Sequence, residues 1–240
     1  MIKEAIEYLL KLKRPETLKV GERDFATLDL YPIKEAECNA LEVYNLDSLI
    51  QYIKNNPDNN TDKLKIINIE SPLRVVAESS IFGNFKQREK FVIVDYLDLI
   101  PSISFGRYMN IEEFIIMLKS KFIVTEDLEK LIKVVGNITD ENVTNYNDDG
   151  ITQKVTTKTG IARVGEVALP PRIKLKPFRT FIEIEQPESE FLLRAKKGYE
   201  GIEFALFEAD GGAWKKEAID NIAAYLKENL KEIEHITILN

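Results

Sequence analysis

The chain has 240 residues, 44% of them hydrophobic and 30% charged, which is the composition of a folded globular protein and excludes disordered, collagen-like and coiled-coil classes. The net charge of −7 gives the chain as a whole no long-range attraction to nucleic acid, so such binding would need a local basic patch. A single cysteine, Cys38, and a single histidine, His235, exclude an internal disulfide and a Cys/His metal cluster and disfavour a catalytic triad.

The first 136 residues predict short strands and amphipathic helices. Apolar spacing predicts a helix over 2–13, and Asn45 is placed to cap a helix over 46–55. Asn110 and Thr125 are placed to open two further helices. Runs rich in β-branched and aromatic residues predict strands over 17–20, 25–31, 65–69, 73–79 and 90–97. The short connections between the last three strands favour antiparallel pairing.

The second half of the chain predicts mostly strands. Residues 137–150 are the most polar stretch and mark a candidate boundary, either a linker or a long exposed loop. Strands are predicted over 151–159, 161–168, 172–176, 178–185, 190–196, 202–208 and 235–239. One long helix, over 213–230, follows Gly211-Gly212.

Helices grouped in two places indicate an α+β fold with a mostly antiparallel, sheet-rich chain and flanking helices. The predicted regions are an N-terminal α+β region over 1–136, the polar linker or exposed loop over 137–150, and a β-rich C-terminal region over 151–240 that the helix over 213–230 closes.

Two segments carry a resemblance to a known family. The first runs from Arg74 to Phe91 and is followed by the helix from Ile111; the second runs from Asp149 to Gly160 and is followed by Leu169-Pro170-Pro171 and Lys176-Pro177-Phe178. In order and rough spacing they resemble the YfdQ-like family of phage and prophage proteins of unknown function, from about residue 45 to 230. The segment Phe85-Lys86-Gln87-Arg88 departs from the more aromatic and histidine-rich family pattern. The resemblance implies a viral or prophage origin and a host-cytoplasm location, and it brings no catalytic residues.

The most basic part of the sequence is residues 151–182, with seven basic side chains and one acidic side chain. Lys154 and Lys158 share one strand face, as do Arg172, Lys174 and Lys176, so two adjoining strands would align five cations. The full set of predicted anion-binding residues is Lys154, Lys158, Arg163, Arg172, Lys174, Lys176 and Arg179, with Lys86 and Arg88 beside Phe82, Phe85 and Phe91. This pattern predicts binding of a nucleotide or of single-stranded nucleic acid. The alternative is a solvated face that balances the acids of 183–190.

Two pairs of acids suggest a second kind of site. Glu183 and Glu185 would share a strand face, and Glu208 and Asp210 follow near the end of a later strand. If these strands pair, the four carboxylates could bind Mg²⁺ in a nuclease or phosphodiesterase. The alternative is that Ile182 and Ile184 face the core while the acids face water.

The string from Glu208 to Trp214 is the most distinctive local motif. Gly211-Gly212 ahead of a helix would let backbone N–H groups approach an anion. The alternative is a strand-to-helix turn in which Asp210 lies near the helix cap and Trp214 anchors the helix.

The sequence favours a non-enzymatic phage or prophage accessory protein that acts by binding or self-assembly and captures an anionic ligand. An enzymatic activity stays open, and no complete catalytic set supports one. The alternatives are the Mg²⁺-dependent nuclease or phosphodiesterase, the one hypothesis that needs a cofactor, and a counter-defence protein that sequesters a nucleotide signal. Strand edges such as 151–159 predict a homo-oligomer. No run of about 18–20 apolar residues and no secretory signal is present, so we expect a cytoplasmic protein without a membrane partner.

Overall fold

The computed structural model describes residues 2–12, 16–21, 23–26, 38–60, 63–83, 86–138, 143–148, 153–159, 163–168, 172–199, 201–233 and 235–240. Over 9–12, 23–25, 143–148, 153–159 and 163–168 the description covers the backbone and no side chains. Internal contacts divide the chain into two units, Met1–Cys38 and Asn39–Asn240.

The first unit contains one helix and one β-hairpin. α1 spans Ile2–Leu12, and β1 (Thr17–Val20) pairs antiparallel with β2 (Arg23–Ala26). Gly21 begins the connection between the two strands with a φ of 66°, which glycine adopts at little steric cost. The predicted helix is confirmed over its described length, and so is the strand over 17–20. The strand predicted over 25–31 begins two residues earlier, and its part beyond residue 26 lies outside the described residues.

The second unit holds the remaining elements. In chain order they are β3 (Leu41–Val43), α2 (Leu46–Asn55), β4 (Leu64–Ser71), β5 (Arg74–Ser79), β6 (Lys90–Asp95), a 3₁₀ turn (Leu97–Leu99), β7 (Met109–Asn110), α3 (Ile111–Lys121), α4 (Glu126–Gly136), β8 (Val143–Asp148), β9 (Gln153–Thr159), β10 (Arg163–Ala168), β11 (Ile173–Leu175), β12 (Ser189–Gly198), β13 (Gly201–Glu208), α5 (Ala213–Asn229) and β14 (Thr237–Leu239).

Three sheets arrange these strands. One sheet has five strands in the order β14-β4-β5-β6-β3, in which β4, β5 and β6 are antiparallel and the two outer strands are parallel to their neighbours. A second, antiparallel sheet has the order β11-β12-β13-β7, and a third has the order β10-β9-β8. The predicted α+β class with mostly antiparallel pairing is therefore confirmed.

Each of the two larger sheets packs against its own helices. The five-stranded sheet buries alternate residues such as Val75 and Ala77 against α2 and against the Ile222 and Leu226 face of α5. The four-stranded sheet buries residues such as Phe204 against α3 and α4. Residues two apart on a strand and four apart on a helix share a face, so these spacings place the apolar side chains of each sheet and its helices in a common core.

The predicted helix caps are confirmed at three helices. The Asn45 side chain accepts the backbone N–H of Ser48 at 2.7 Å, and Asn110 accepts that of Glu113 at 2.8 Å. Thr125 accepts the N–H of Leu128 at 3.2 Å in the same way. Each cap satisfies a backbone donor that has no acceptor within its helix, which explains why these helices begin where the sequence predicts.

The strand predicted over 178–185 is wrong. Residues 176–188 form an irregular connection between β11 and β12, with a turn at 182–183. The buried Gln186 side chain accepts the backbone N–H groups of Arg179 and Thr180 at 3.0 and 3.2 Å and donates to the carbonyl oxygens of Thr180 and Phe181 at 3.3 and 2.8 Å. One side chain thus supplies the hydrogen bonds that a neighbouring strand would have supplied, so the backbone is satisfied without a sheet.

The predicted boundary at 137–150 does not separate the sheets. Its residues 143–148 form β8, and strands from both sides of it share each larger sheet: β14 lies beside β4, and β7 lies beside β13. The contact division falls after Cys38 instead. Strand pairing between distant segments is what merges the two predicted regions, and local composition carries no signal for it.

A hydrogen bond between α2 and α5 makes a pH-dependent contribution to stability. The Tyr225 phenol donates to Asp47 Oδ1 at 2.5 Å, and this bond, together with burial, raises the pKa of Tyr225 from 10.0 to about 12. A folded-state pKa above the unfolded value means that the contribution is complete below pH 10 and is lost as the pH rises through 12.

We therefore expect the free energy of unfolding to fall between pH 10 and 12, and Tyr225→Phe to remove this part of the fall. Denaturant unfolding at each pH measures it. Burial also raises the pKa of Tyr52 and of Tyr96, so the tyrosinate absorbance of the variant should show one late-ionising phenol fewer than that of the native protein. Tyr199→Phe is the control, because the Tyr199 side chain is fully exposed. An unchanged number of late-ionising phenols in Tyr225→Phe would contradict the assignment.

Candidate functional site: the Arg179 cleft

A cleft of about 720 Å³ lies among the ends of several elements of the second unit. The β4–β5 turn, the connection after β6, the irregular connection before β12, the end of β13 and the start of α5 all contribute to its lining. Phe105, Phe178 and Trp214 supply aromatic surface, and Arg179, Glu208 and Lys215 supply charge. We call this the Arg179 cleft.

Arg179 is a buried arginine, with 7% of its side chain exposed. Its Nη1 donates to Glu208 Oε1 at 3.1 Å, and its Nη2 donates to Ser189 Oγ and to the carbonyl oxygen of Pro187. The guanidinium also lies over the Trp214 ring, 4.1 Å from the ring centroid. Hydrogen bonds, an ion pair and a cation–π contact therefore fix its position.

Two properties of this guanidinium are unusual. Its Nε is buried and has no hydrogen-bond partner among the described residues, although an unsatisfied buried donor costs about 1–3 kcal/mol. Burial lowers the pKa of Arg179 to about 10, against the opposing effect of the Asp210 and Glu208 carboxylates. Arg179 stays charged at neutral pH, but its environment leaves one donor unused.

Asp210 occupies the position at the start of α5 where an anion would bind. Its Oδ1 accepts the N–H of Gly212 at 3.0 Å, and its Oδ2 accepts the Ser189 hydroxyl and lies 4.0 Å from Arg179 Nη2. Burial acts to raise the pKa of Asp210, but the hydrogen bonds from Ser189 and Gly212 and the charge of Arg179 lower it overall. The geometry matches the strand-to-helix turn, with the Asp210 carboxylate in place of an external anion.

Three predicted anion-binding cations pair with glutamates. The ion pairs are Arg172–Glu190 at 2.8 Å, Lys174–Glu188 at 3.2 Å and Lys176–Glu185 at 2.5 Å. The hydrogen bond between Lys176 and Glu185 raises the pKa of Lys176 and lowers that of Glu185. This is the arrangement expected of a solvated face that balances the acids of 183–190.

The five-cation stripe lacks the adjoining strands that it requires. Lys154 and Lys158 lie on β9, which pairs with β8 and β10, whereas Arg172 precedes β11, and β11 pairs with β12 in another sheet. The side chains of Lys154, Lys158 and Arg163 lie outside the described part of the chain. Nothing in the pairing of these strands therefore joins the two groups of cations.

Gln87, which bridges to Phe82, lies between Lys86 and Arg88. Arg88 Nη1 donates to the carbonyl oxygen of Ser79 at 3.2 Å and lies 3.7 Å from the Glu78 carboxylate. Lys86 is exposed and has a φ of 52°. The predicted stacking residue Phe85 lies outside the described residues, so this corner of the predicted surface has one paired cation and one exposed cation.

The four acids of the predicted metal site have three different partners and do not form one cluster. Glu183 Oε1 accepts the Leu46 N–H at 2.7 Å at the start of α2, while Oε2 is buried with no hydrogen-bond partner among the described residues. Glu185 pairs with Lys176, and Glu208 and Asp210 flank Arg179. Within the described residues no three His, Cys, Asp or Glu side chains lie close enough to hold a metal ion. Glu183 and Glu185 do not share a strand face, because residues 182–183 form a turn. At this turn Ile182 is 68% exposed, whereas Ile184 is buried.

The sequence identified part of this cleft and missed the rest. Arg179 was a candidate for the anion-binding surface, Glu208 and Asp210 for the metal site, and Trp214 for the anchor of the last long helix. Phe105, Phe178, Ser189 and Gln186 carry no signal in spacing or composition, because they come together through long-range packing between connections. The run of apolar and aromatic residues after Leu99 was the one local feature that could have indicated a cleft wall.

Comparisons with known proteins identify no relative for this chain. No family model, no curated protein and no solved structure matches it. Among the described residues, no helix combines the length and the apolar content that a membrane span requires.

Proposed function

We propose that the protein acts by binding rather than by catalysis, and that the Arg179 cleft captures a small ligand with a flat ring and an anionic group. The observation that carries the proposal is a cleft of about 720 Å³ whose lining combines three aromatic side chains with Arg179, Glu208 and the exposed Lys215.

Features of the cleft support both parts of the ligand. The aromatic side chains Phe105, Phe178 and Trp214 are suited to stacking on a flat ring. Lys215, in the first turn of α5, is exposed, so it can pair with an acidic group that remains in water. The volume of about 720 Å³ falls in the usual range for small-molecule sites, about 300–1,000 Å³.

The biological setting is part of the same proposal. The resemblance to YfdQ-like proteins supports a phage or prophage accessory protein in the host cytoplasm, where capture of a nucleotide signal would serve counter-defence. The strand over 151–159 was expected to be an edge, and this is wrong, because β9 pairs with β10 on one side and with β8 on the other. A homo-oligomer is supported instead by the outer strands of this sheet, since β8 and β10 each pair on one side among the described strands. Native mass spectrometry of protein purified from the host measures copy number and retained ligand together.

Trp214 makes the cleft directly observable, because it is the chain's one tryptophan. Titration with adenosine and guanosine 5′-monophosphates is expected to change its fluorescence in a saturable way. Lys215→Ala is expected to weaken binding of the monophosphates up to about fivefold, the range for an exposed ion pair. Lys216→Ala is the matched control, because Lys216 pairs with Asp220 on the same helix at 2.5 Å and is absent from the cleft lining.

Two results together would contradict the proposed function. One is an unchanged Trp214 fluorescence in the presence of both monophosphates, and the other is native mass spectrometry that shows no retained small molecule. Equal weakening by Lys215→Ala and Lys216→Ala would contradict the role of Lys215 while leaving the cleft as the binding site.

A further inference from the structure

Resting on the proposed function, we infer that the Arg179 cleft holds the ring of its ligand by stacking and apolar contact alone and holds the anionic group at Lys215. The ligand class is therefore aromatic anions in general, with no selection for one nucleobase and with a preference for rings that carry few polar groups. Three features of the cleft carry this inference: its paired polar groups, its open apolar wall and the position of its exposed lysine.

The polar groups around Arg179 are already paired with one another. Arg179 Nη1 donates to Glu208 Oε1 at 3.1 Å, and Nη2 donates to the Ser189 hydroxyl, which in turn donates to Asp210. The remaining guanidinium donor, Nε, is itself buried. A polar ring edge placed against this cluster would lose its hydrogen bonds to water and gain no donor from Arg179, so the edge would weaken binding.

The apolar wall of the cleft is only partly buried. Each of its six large side chains keeps some surface open, and these are Leu73, Ile100, Ile103, Phe105, Phe178 and Trp214. A flat ring that covers this wall removes apolar area from water on both sides of the contact. The gain depends on the area of the ring and not on the pattern of donors and acceptors along its edge.

Lys215 sets the position of the anionic group. It is exposed and has no ion pair among the described residues, and its Nζ lies 6.0 Å from the centroid of the Trp214 ring. A ring beside Trp214 therefore brings its anionic group within reach of this amine. Near Arg179 the same group would meet the carboxylates of Glu208 and Asp210, and like charges repel. The two ends of the cleft thus orient the ligand.

The test compares probes that share a phosphate, by isothermal titration calorimetry. Adenosine and guanosine 5′-monophosphates are expected to bind within about threefold of each other, although their base edges present different donors and acceptors. 2-Naphthyl phosphate is expected to bind about tenfold more tightly than either, because its ring loses no hydrogen bonds to water. Ribose 5-phosphate, which has no flat ring, is expected to bind about tenfold more weakly than the nucleotides.

A variant pair locates the anionic group. Lys215→Ala is expected to weaken 2-naphthyl phosphate up to about fivefold, the range for an exposed ion pair, and to leave the affinity for neutral 2-naphthol unchanged. Lys216→Ala is the control and should change neither affinity, because Lys216 pairs with Asp220 at 2.5 Å and is absent from the cleft lining. The comparison of probes needs no variant, so it decides the matter even if Lys215→Ala does not fold.

The possible failures are distinguishable. A difference of tenfold or more between the two nucleotides, or tighter binding of either nucleotide than of 2-naphthyl phosphate, would overturn the inference and leave the proposed function standing. Equal losses of 2-naphthyl phosphate and 2-naphthol affinity in Lys215→Ala would overturn the position of the anionic group. Inactivity of all probes would overturn the inference alone if native mass spectrometry shows a retained small molecule, and both proposals if it shows none. Ribose 5-phosphate that binds as tightly as the nucleotides would overturn both, because the ring would then add nothing.

Discussion

Arg179→Met is expected to lower the free energy of unfolding by about 3–5 kcal/mol, the largest electrostatic effect that we expect in this protein. The substitution leaves the Asp210 carboxylate, whose side chain is 12% exposed, without its neighbouring cation. It also removes the donors to Glu208 and to Ser189 and the cation over the Trp214 ring. An uncompensated buried charge costs far more than the loss of an exposed ion pair.

Urea unfolding followed by far-ultraviolet circular dichroism measures this change at neutral pH. Arg172→Met is the matched control, because Arg172 makes an ion pair at 2.8 Å with its side chain 63% exposed, and it should cost less than about 1 kcal/mol. Arg179→Lys keeps a cation but loses the planar donor group, so we expect an intermediate loss. Equal stability of Arg179→Met and Arg172→Met would show that the cluster around Arg179 does not stabilise the fold.

Phe191→Ala is expected to lower the free energy of unfolding by about 3–5 kcal/mol, because it opens a cavity in the core beneath the four-stranded sheet. Phe191 is fully buried on β12. Its ring centroid lies 5.1 Å from that of Phe105 and 6.3 Å from that of Phe122. Loss of the Phe105 contact also removes support from one aromatic residue of the Arg179 cleft.

Ile182→Ala is the control for this core substitution, because the Ile182 side chain is 68% exposed and an exposed truncation should stay within about 0.5 kcal/mol. The same urea experiment compares the two variants, and titration of folded Phe191→Ala with the monophosphates reports any change in the cleft. A Phe191→Ala loss no larger than that of Ile182→Ala would contradict the assignment of Phe191 to the core.

Local chemistry made several features predictable from the sequence. Asn45, Asn110 and Thr125 begin helices because their side chains satisfy the first backbone N–H groups, an interaction within four residues of chain. The long helix after Gly211-Gly212 was predicted over 213–230 and is observed over Ala213–Asn229, since its apolar spacing is also local. Such features require no knowledge of distant residues.

Long-range features of the site could not be predicted in this way. Residues 178–185 were predicted to be a strand, because Ile182 and Ile184 alternate with Glu183 and Glu185. The buried Gln186 side chain instead satisfies the backbone of this segment and lets it turn. That turn separates Glu183 from Glu185 and brings Arg179 beside Glu208, which lies 29 residues away. Two acids of the candidate metal site, Glu208 and Asp210, thus become partners of Arg179, a cation of the candidate basic set.

The sequence by itself determined the α+β class, the helix starts and the presence of one basic segment within an acidic chain, because propensity, capping and composition act within a few residues. Only the tertiary structure decided which strands pair, which charges neutralise one another and where a cleft opens. Those outcomes depend on burial and on contacts between segments far apart in sequence, and the Arg179 cleft exists only where such segments meet.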